Sequence, residues 1–255
     1  MKIQYVSDLH LEFQANSHHL RQHPLLVAGD VLVMAGDIHV LGTSEATRHD
    51  FFSWCADHYE QTLIVPGNHE FYGGLPIDEC IDDWELPLRS NVRYLNNRSV
   101  RTGDVELFFS TLWSRINPVD EALAERHMAD FRRSVFEGRQ LHAGDYALLH
   151  EHCMTWLTAA LQSSDAPHRV VVTHHCPVQA EDPRYQSNGL TGAFIVPLER
   201  FIASQHIDAW IFGHTHYNGA RGMLVGDTCM CVNQLGYVEQ GIENGYRPDA
   251  MIEIL

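Results

Sequence analysis

Carboxylates, imidazoles and one carboxamide recur in this chain at short, fixed spacings: Asp8-x-His10, Gly36-Asp37, Gly67-Asn68-His69-Glu70, His174 and Gly213-His214-x-His216. Oxygen and imidazole-nitrogen donors with no thiolate suit a divalent Mn, Fe, Zn, Co or Ni ion in an open site, rather than a closed zinc site built of cysteines. The chain holds 18 histidines, and histidine is the commonest metal ligand. A lone Asp-x-His or His-x-His is usually an ordinary loop element. What sets these five motifs apart is where they fall.

Each motif closes a short apolar run. Ile3–Val6 leads to Asp8 and His10, Val31–Ala35 to Asp37, Thr62–Val65 to Asn68, Arg169–Thr173 to His174, and Ala209–Phe212 to His214 and His216. Short apolar runs alternating with helical patterns predict an α/β fold. Ligands of open α/β sheets sit outside the carboxyl ends of the strands. If the runs share a sheet and lie parallel, the five motifs meet at one edge. Glu106–Ser110, Met223–Val225, Cys229–Val232 and Ala250–Ile254 predict further strands. Ser44–His58, with Ser44 as N-cap, Ile77–Leu88, Tyr146–Leu161 and Pro197–Gln205 predict helices. A second Gly-Asp pair, Gly29-Asp30, precedes the run that Gly36-Asp37 follows. At ~3.3 Å per residue Asp30 falls at the far end of that strand, which makes it a turn residue.

Residues 114–144 break the pattern, being charged with only scattered apolar positions. They predict a mostly helical excursion, either a solvated surface insertion or a lid beside the site. The 255 residues otherwise read as one domain, 1–255. A net charge of −16 argues against a basic nucleic-acid-binding face and against a polybasic membrane anchor. No window approaches the ~18 apolar residues of a membrane helix. The six cysteines form no CxxC pair and the opening residues carry no signal-peptide pattern. The expectation is a cytoplasmic protein with reduced thiols.

In their order along the chain, from residue 8 to residue 216, the five motifs resemble the motif set of the calcineurin-like metallophosphoesterases. The stretches around Thr111-Leu112-Trp113, Asn188-Gly189-Leu190 and Asn233–Tyr237 are similar to uncharacterised bacterial members. The resemblance implies a four-layer αββα sandwich of the metallo-dependent phosphatase type. It also implies two divalent metal ions, with Mn, Fe or Zn expected. Asp8, His10, Asp37 and His216 would hold one, and Asp37, Asn68, His174 and His214 the other, with Asp37 as the bridge. His174 is followed by His175, so this ligand could shift by one residue; the first histidine is favoured.

The implied activity is hydrolysis of small phosphate mono- or diesters by a metal-bound hydroxide, two ions ~3.5–4 Å apart clamping the attacking and leaving oxygens. His69, a non-ligand in the family, would stabilise the developing charge or protonate the leaving group. Glu70 either bonds His69 or is a plain loop residue, and His39 is read as structural. Arg184 and Tyr185, in the polar stretch from Ala180 to Gly192, are candidate substrate contacts. Two further readings share the fold. A nuclease is disfavoured by the acidic charge, and a non-catalytic metal-binding scaffold by the complete ligand set with His69. The substrate, the choice between mono- and diester, and the oligomeric state do not follow from the sequence.

Overall fold

Nearly every apolar run forms a strand at or within a residue or so of its expected bounds. The computed structural model describes residues 1–42, 46–180, 182–183, 189–241 and 244–255. In chain order the elements are β1 (Lys2–Val6), α1 (Gln14–Gln22), β2 (Val31–Ala35), α2 (Asp50–His58), β3 (Gln61–Val65), β4 (Trp84–Arg89), β5 (Val92–Asn96), β6 (Arg98–Thr102) and β7 (Val105–Ser110). Then come α3 (Glu121–His127), α4 (Asp130–Arg133), β8 (Val135–Phe136), β9 (Arg139–Gln140), α5 (Asp145–Ser163) and β10 (His168–Thr173). The chain ends with α6 (Thr191–Phe194), α7 (Glu199–Ala203), β11 (Ala209–Phe212), β12 (Leu224–Val225), β13 (Thr228–Val232) and β14 (Met251–Glu253).

Two six-stranded sheets result, in the orders β14-β1-β2-β3-β5-β4 and β12-β13-β11-β10-β7-β6. In each, four parallel strands are flanked by one antiparallel strand at either edge. The motif-bearing strands are thus divided, three in the first sheet and two in the second, rather than sharing one. Alternation along each strand explains the layering. Ile3, Val31, Val33, Leu63 and Val65 face Leu107, Phe109, Val170, Val172 and Ile211 between the sheets. Val6, Leu32, Met34 and Ile64 face outward onto Leu20 of α1 and Phe52 of α2. Phe108, Val171, Trp210 and Phe212 face Leu157 of α5 and Ile202 of α7. Both faces of the central strands are therefore apolar, which is why β2 reads as an unbroken apolar run, all five residues buried. The result is the αββα sandwich.

Residues 77–88 do not form the expected helix. A short 3₁₀ turn at Asp78–Cys80 is followed by strand β4. Pro87 would clash inside a helix, whereas an edge strand tolerates it. Trp84, Leu86 and Leu88, two residues apart, pack on the first sheet's outer core. The helix expected from Ser44 begins at Asp50, capped by His49, whose Nδ1 accepts from the Phe51 amide at 3.3 Å. Ser44 itself, with Arg184 and Tyr185, lies outside the described residues. Helix α1 was not expected, since its sequence lacks an apolar stripe. It is pinned by polar bonds instead: Asn16 Nδ2 donates to the carbonyls of Leu9 and Gly236 at 2.9 and 2.8 Å. Asp30 is a turn residue, its carboxylate accepting from the Lys2 amide at 3.1 Å. The 114–144 stretch does carry helices, but it is far from fully solvated. Ala124, Met128, Phe131 and Phe136 form a fourth buried cluster with Phe71, Trp113 and Tyr146. Among the described residues no helix is long and apolar enough to cross a membrane.

Candidate metal centre

The parallel strands of both sheets release their chains on the same side, and the backbone there turns sharply. Asp8, His10, Asp37, His214 and His216 all have positive φ, between 47° and 75°. Such conformations are uncommon for residues with a Cβ and cluster at functional sites. Two glycines let these ends close on each other. A Cβ on Gly36 would overlap the His174 ring, and one on Gly67 would overlap the Asp37 carboxylate. The two sheets are then tied by bonds between their tips: His174 Nδ1 to the Ala35 carbonyl at 2.9 Å, and the His214 amide to Asp8 Oδ1 at 3.1 Å.

An inner cluster forms around His174. Its Nδ1 faces a carbonyl, which can only accept, so Nδ1 carries the proton and Nε2 offers a lone pair. His214 Nε2 likewise donates to the Ala193 carbonyl at 3.3 Å, leaving Nδ1 bare. Asn68 Nδ2 donates to the Tyr72 hydroxyl at 3.0 Å, and that hydroxyl donates to Asp130 Oδ2 at 2.9 Å, which turns Asn68 Oδ1 inward. Around His174 Nε2 then stand Asn68 Oδ1 at 3.0 Å, His214 Nδ1 at 3.0 Å and Asp37 Oδ1 at 3.4 Å. Four acceptor-only atoms facing one another repel unless a cation lies between them. Two metal bonds of ~2.1 Å meeting near a right angle place their donors about 3 Å apart, which is the spacing seen. Burial holds His174 down to about 4 and His214 well below the usual histidine range, so both rings are in the neutral, ligating form at pH 7.

An outer cluster forms around His10. Its Nε2 lies 3.0 Å from His216 Nε2 and 3.8 Å from Asp37 Oδ2, and His216 Nε2 lies 3.3 Å from Asp8 Oδ1. Burial likewise depresses His10, to about 4. Asp37 belongs to both clusters. Burial, aided by the Glu70 and Asp8 carboxylates, pushes Asp37 well above the usual carboxylate range, a penalty that a neighbouring cation relieves. His10 Nδ1 and His69 Nδ1 share one acceptor, Glu12 Oε1, at 3.3 and 2.8 Å. His69 Nε2 therefore points at the shared space, 4.0 Å from Asp37 Oδ2 and 3.3 Å from the Tyr237 hydroxyl.

Residues 1–218 match the calcineurin-like phosphoesterase family. The chain belongs to that family. A calcineurin-like phosphoesterase is metal-dependent, and this one has His/Asp clusters able to hold metal ions. It is 27% identical to an uncharacterized protein of Acanthamoeba polyphaga mimivirus, over 99% of this chain and 96% of that one. Its fold is similar to the crystal structure of a phosphopantetheinyl hydrolase from Mycobacterium tuberculosis, at a TM-score of 0.68 and 14% identity, covering 100% of this chain and 95% of the other.

The seven candidate ligands and His69 thus come together in space. His175 does not join them; it packs edgewise or tilted on Trp113, Tyr146 and His214, with ring centroids 5.3, 5.8 and 4.2 Å away. Glu70 does not hold His69. Its carboxylate ties the loops together by accepting from the amides of Gly67, Ile38 and Asp37 at 2.7, 2.9 and 3.0 Å, while burial pushes it up to about 7. His39 bonds the Val40 carbonyl at 3.0 Å. Three site residues escaped sequence reasoning. Glu12 carried a signal, a carboxylate two places beyond His10. Tyr72 and Tyr237 carried little, since aromatic residues in loops are more often packing than function.

Proposed function

We propose that this chain is a dinuclear-metal hydrolase of small phosphate mono- or diesters. The observation that carries the reading is the inner cluster of acceptor-only atoms joined through Asp37 to the outer cluster of His10, His216 and Asp8, with the His69 imidazole beside them. Asp8, His10, Asp37 and His216 would hold one ion, and Asp37, Asn68, His174 and His214 the second, with Mn, Fe or Zn as the expected metals. Bound divalent ions supply charge for the phosphoryl oxygens and an acidified water for in-line displacement. The chain's own residues do the rest. Glu12 fixes the His69 ring by its Nδ1. His69 Nε2 then faces the cavity; with Nδ1–H donated to Glu12, it is the doubly protonated ring that passes its Nε2 proton to the leaving oxygen and returns to the neutral form. Tyr237 packs tilted against His10 and edge-on against His216, ring centroids 4.6 Å from each, and closes that side of the site.

The test is hydrolysis of p-nitrophenyl phosphate against bis-p-nitrophenyl phosphate by metal-free protein reconstituted with Mn, Fe, Co, Ni or Zn. Metal-dependent turnover is expected, and the ratio of the two rates separates monoesterase from diesterase. Two bound metals with no turnover of any phosphate ester would overturn the reading in favour of a non-catalytic scaffold.

A further inference from the structure

A cavity of about 540 Å³ opens over the two clusters. Its floor includes Asp37, Asn68, His69, His214 and His216, and much of the remaining wall is apolar: Phe13, Met128, Leu190, Phe194, Ile195 and Tyr237. That volume and lining suit a small organic molecule rather than a polymer. The charged side chains Asp130, Asp182 and Arg133 also line the cavity, Arg133 being the cation among them, at the end of α4 in the 114–144 insertion.

Arg133 is built in. Its neighbour on the same helical face, Asp130, is buried and already engaged, Oδ2 accepting from Tyr72 at 2.9 Å and Oδ1 from Tyr146 at 2.7 Å. Asp130 therefore anchors α4 and forms no direct ion pair with Arg133. The Arg133 guanidinium lies over the Tyr72 ring, 4.9 Å from its centroid. Among the described residues no carboxylate pairs with it, although the chain has 33 acidic residues against 17 basic ones. Stacking on an aromatic face holds a guanidinium in place while leaving its forked N–H donors open for a carboxylate or phosphate. Tyr72 also accepts from Asn68, so one short chain of contacts fixes the arginine relative to the floor.

We infer that Arg133 is a specificity-determining residue, and that the substrate is a phosphate ester whose leaving group has an apolar body and its own anionic group. This rests on the hydrolase reading above. The reacting phosphoryl group occupies the floor, so the anion that meets Arg133 is a second one, a carboxylate or another phosphoryl, at the far end of a molecule whose middle lies on the apolar wall.

The test is a panel of 4-alkylphenyl phosphates, each paired with its ω-carboxylate and ω-phosphate counterparts at spacers of one to three methylenes. The metal-loaded wild type is expected to favour at least one anionic member over its neutral partner by about 10-fold or more in kcat/KM, expressed in KM, as for one charged hydrogen-bond pair. Arg133→Met should collapse that ratio and Arg133→Lys should restore part of it, with metal content and melting temperature checked in each. The carboxylate and phosphate arms identify the anion. Equal treatment of all pairs by the wild type, a ratio that survives Arg133→Met, or an equal loss on neutral and anionic members would each overturn the inference. Calorimetric binding of the corresponding phosphonates separates it from the hydrolase reading. Anion-selective binding lost in Arg133→Met, without turnover of any ester, would sink the hydrolase and keep the arginine's role.

Discussion

The inner and outer clusters use the same donor types but are held differently. At the inner one, His174 is fully buried and Asn68 and His214 nearly so, and each has its second polar atom committed to a fixed partner. At the outer one, the His216 side chain is 23% exposed, and the acceptor that steadies His10 is a carboxylate shared with His69. Ligands whose orientation is set by outer hydrogen bonds bind metal more tightly. The inner cluster is therefore the rigid one. Both open onto the cavity, the inner through Asn68 and His214 and the outer through His216, but only the outer is tied through Glu12 to the residue proposed to move a proton.

The largest effect should come from removing what the clusters share. Asp37→Asn is expected to cut turnover by about 10³-fold or more, the upper range for losing one preorganised charged group, and to lower bound metal below two per chain by elemental analysis. Wild-type metal content in that variant would break the bridge assignment. His69→Ala should retain both ions yet lose about 10²–10⁴-fold in kcat on substrates with poor leaving groups. A matching loss of metal would make His69 a ligand rather than a proton donor. Glu12→Gln sharpens the comparison, because Glu12 touches the outer cluster and His69 but none of the inner ligands. A loss of about 10–100-fold in outer-metal affinity or activity is expected, with the inner ion unaffected. If both ions are lost alike, the clusters are not independent. Chelator titration should remove metal in two steps, with affinities about 10-fold or more apart and the outer ion leaving first; one merged step would erase the distinction.

The smallest effect concerns pH in the metal-free protein. Burial depresses His10 and His174 to about 4, whereas an unfolded histidine titrates near ~6.5. The unfolded chain thus binds protons that the fold refuses. Stability is full above that unfolded value and falls as pH drops toward 4, at most by a few kcal/mol per residue. Buried Asp37 and Glu70, raised above the usual carboxylate range, work in the opposite direction over the same window, so the histidine contribution is the difference between the pH profiles of the thermal midpoint in chelated wild type and in chelated His174→Asn. Identical profiles would mean that the ring is more solvated than its burial implies.

The strands and their terminal motifs were legible because each depends on local pattern. Val31–Ala35 and Ala209–Phe212 are buried on both faces and bounded by turn residues, so their limits show in the sequence. The 77–88 segment was misread because its apolar residues fit a helical period until Pro87 is weighed. Helix α1 was missed because polar side-chain bonds, not an apolar stripe, hold it. Glu70, in a short 3₁₀ turn over His69–Gly73, was not legible as a tie between loops, since two of the amides it accepts from, Asp37 and Ile38, are more than 25 residues away.

By itself the sequence determined which atoms could ligate and at which strand ends they stand. Parallel strands deliver their carboxyl ends to one side, so order along the chain becomes convergence in space. Only the tertiary structure decided how those atoms are presented. The stacking of two sheets sets His174 against Ala35, the descent of the insertion sets Asp130 and Arg133 against Tyr72, and the loop after β13 brings Tyr237 to His69. Such pairings join residues far apart in the chain. They are fixed by packing between layers, which no local periodicity records.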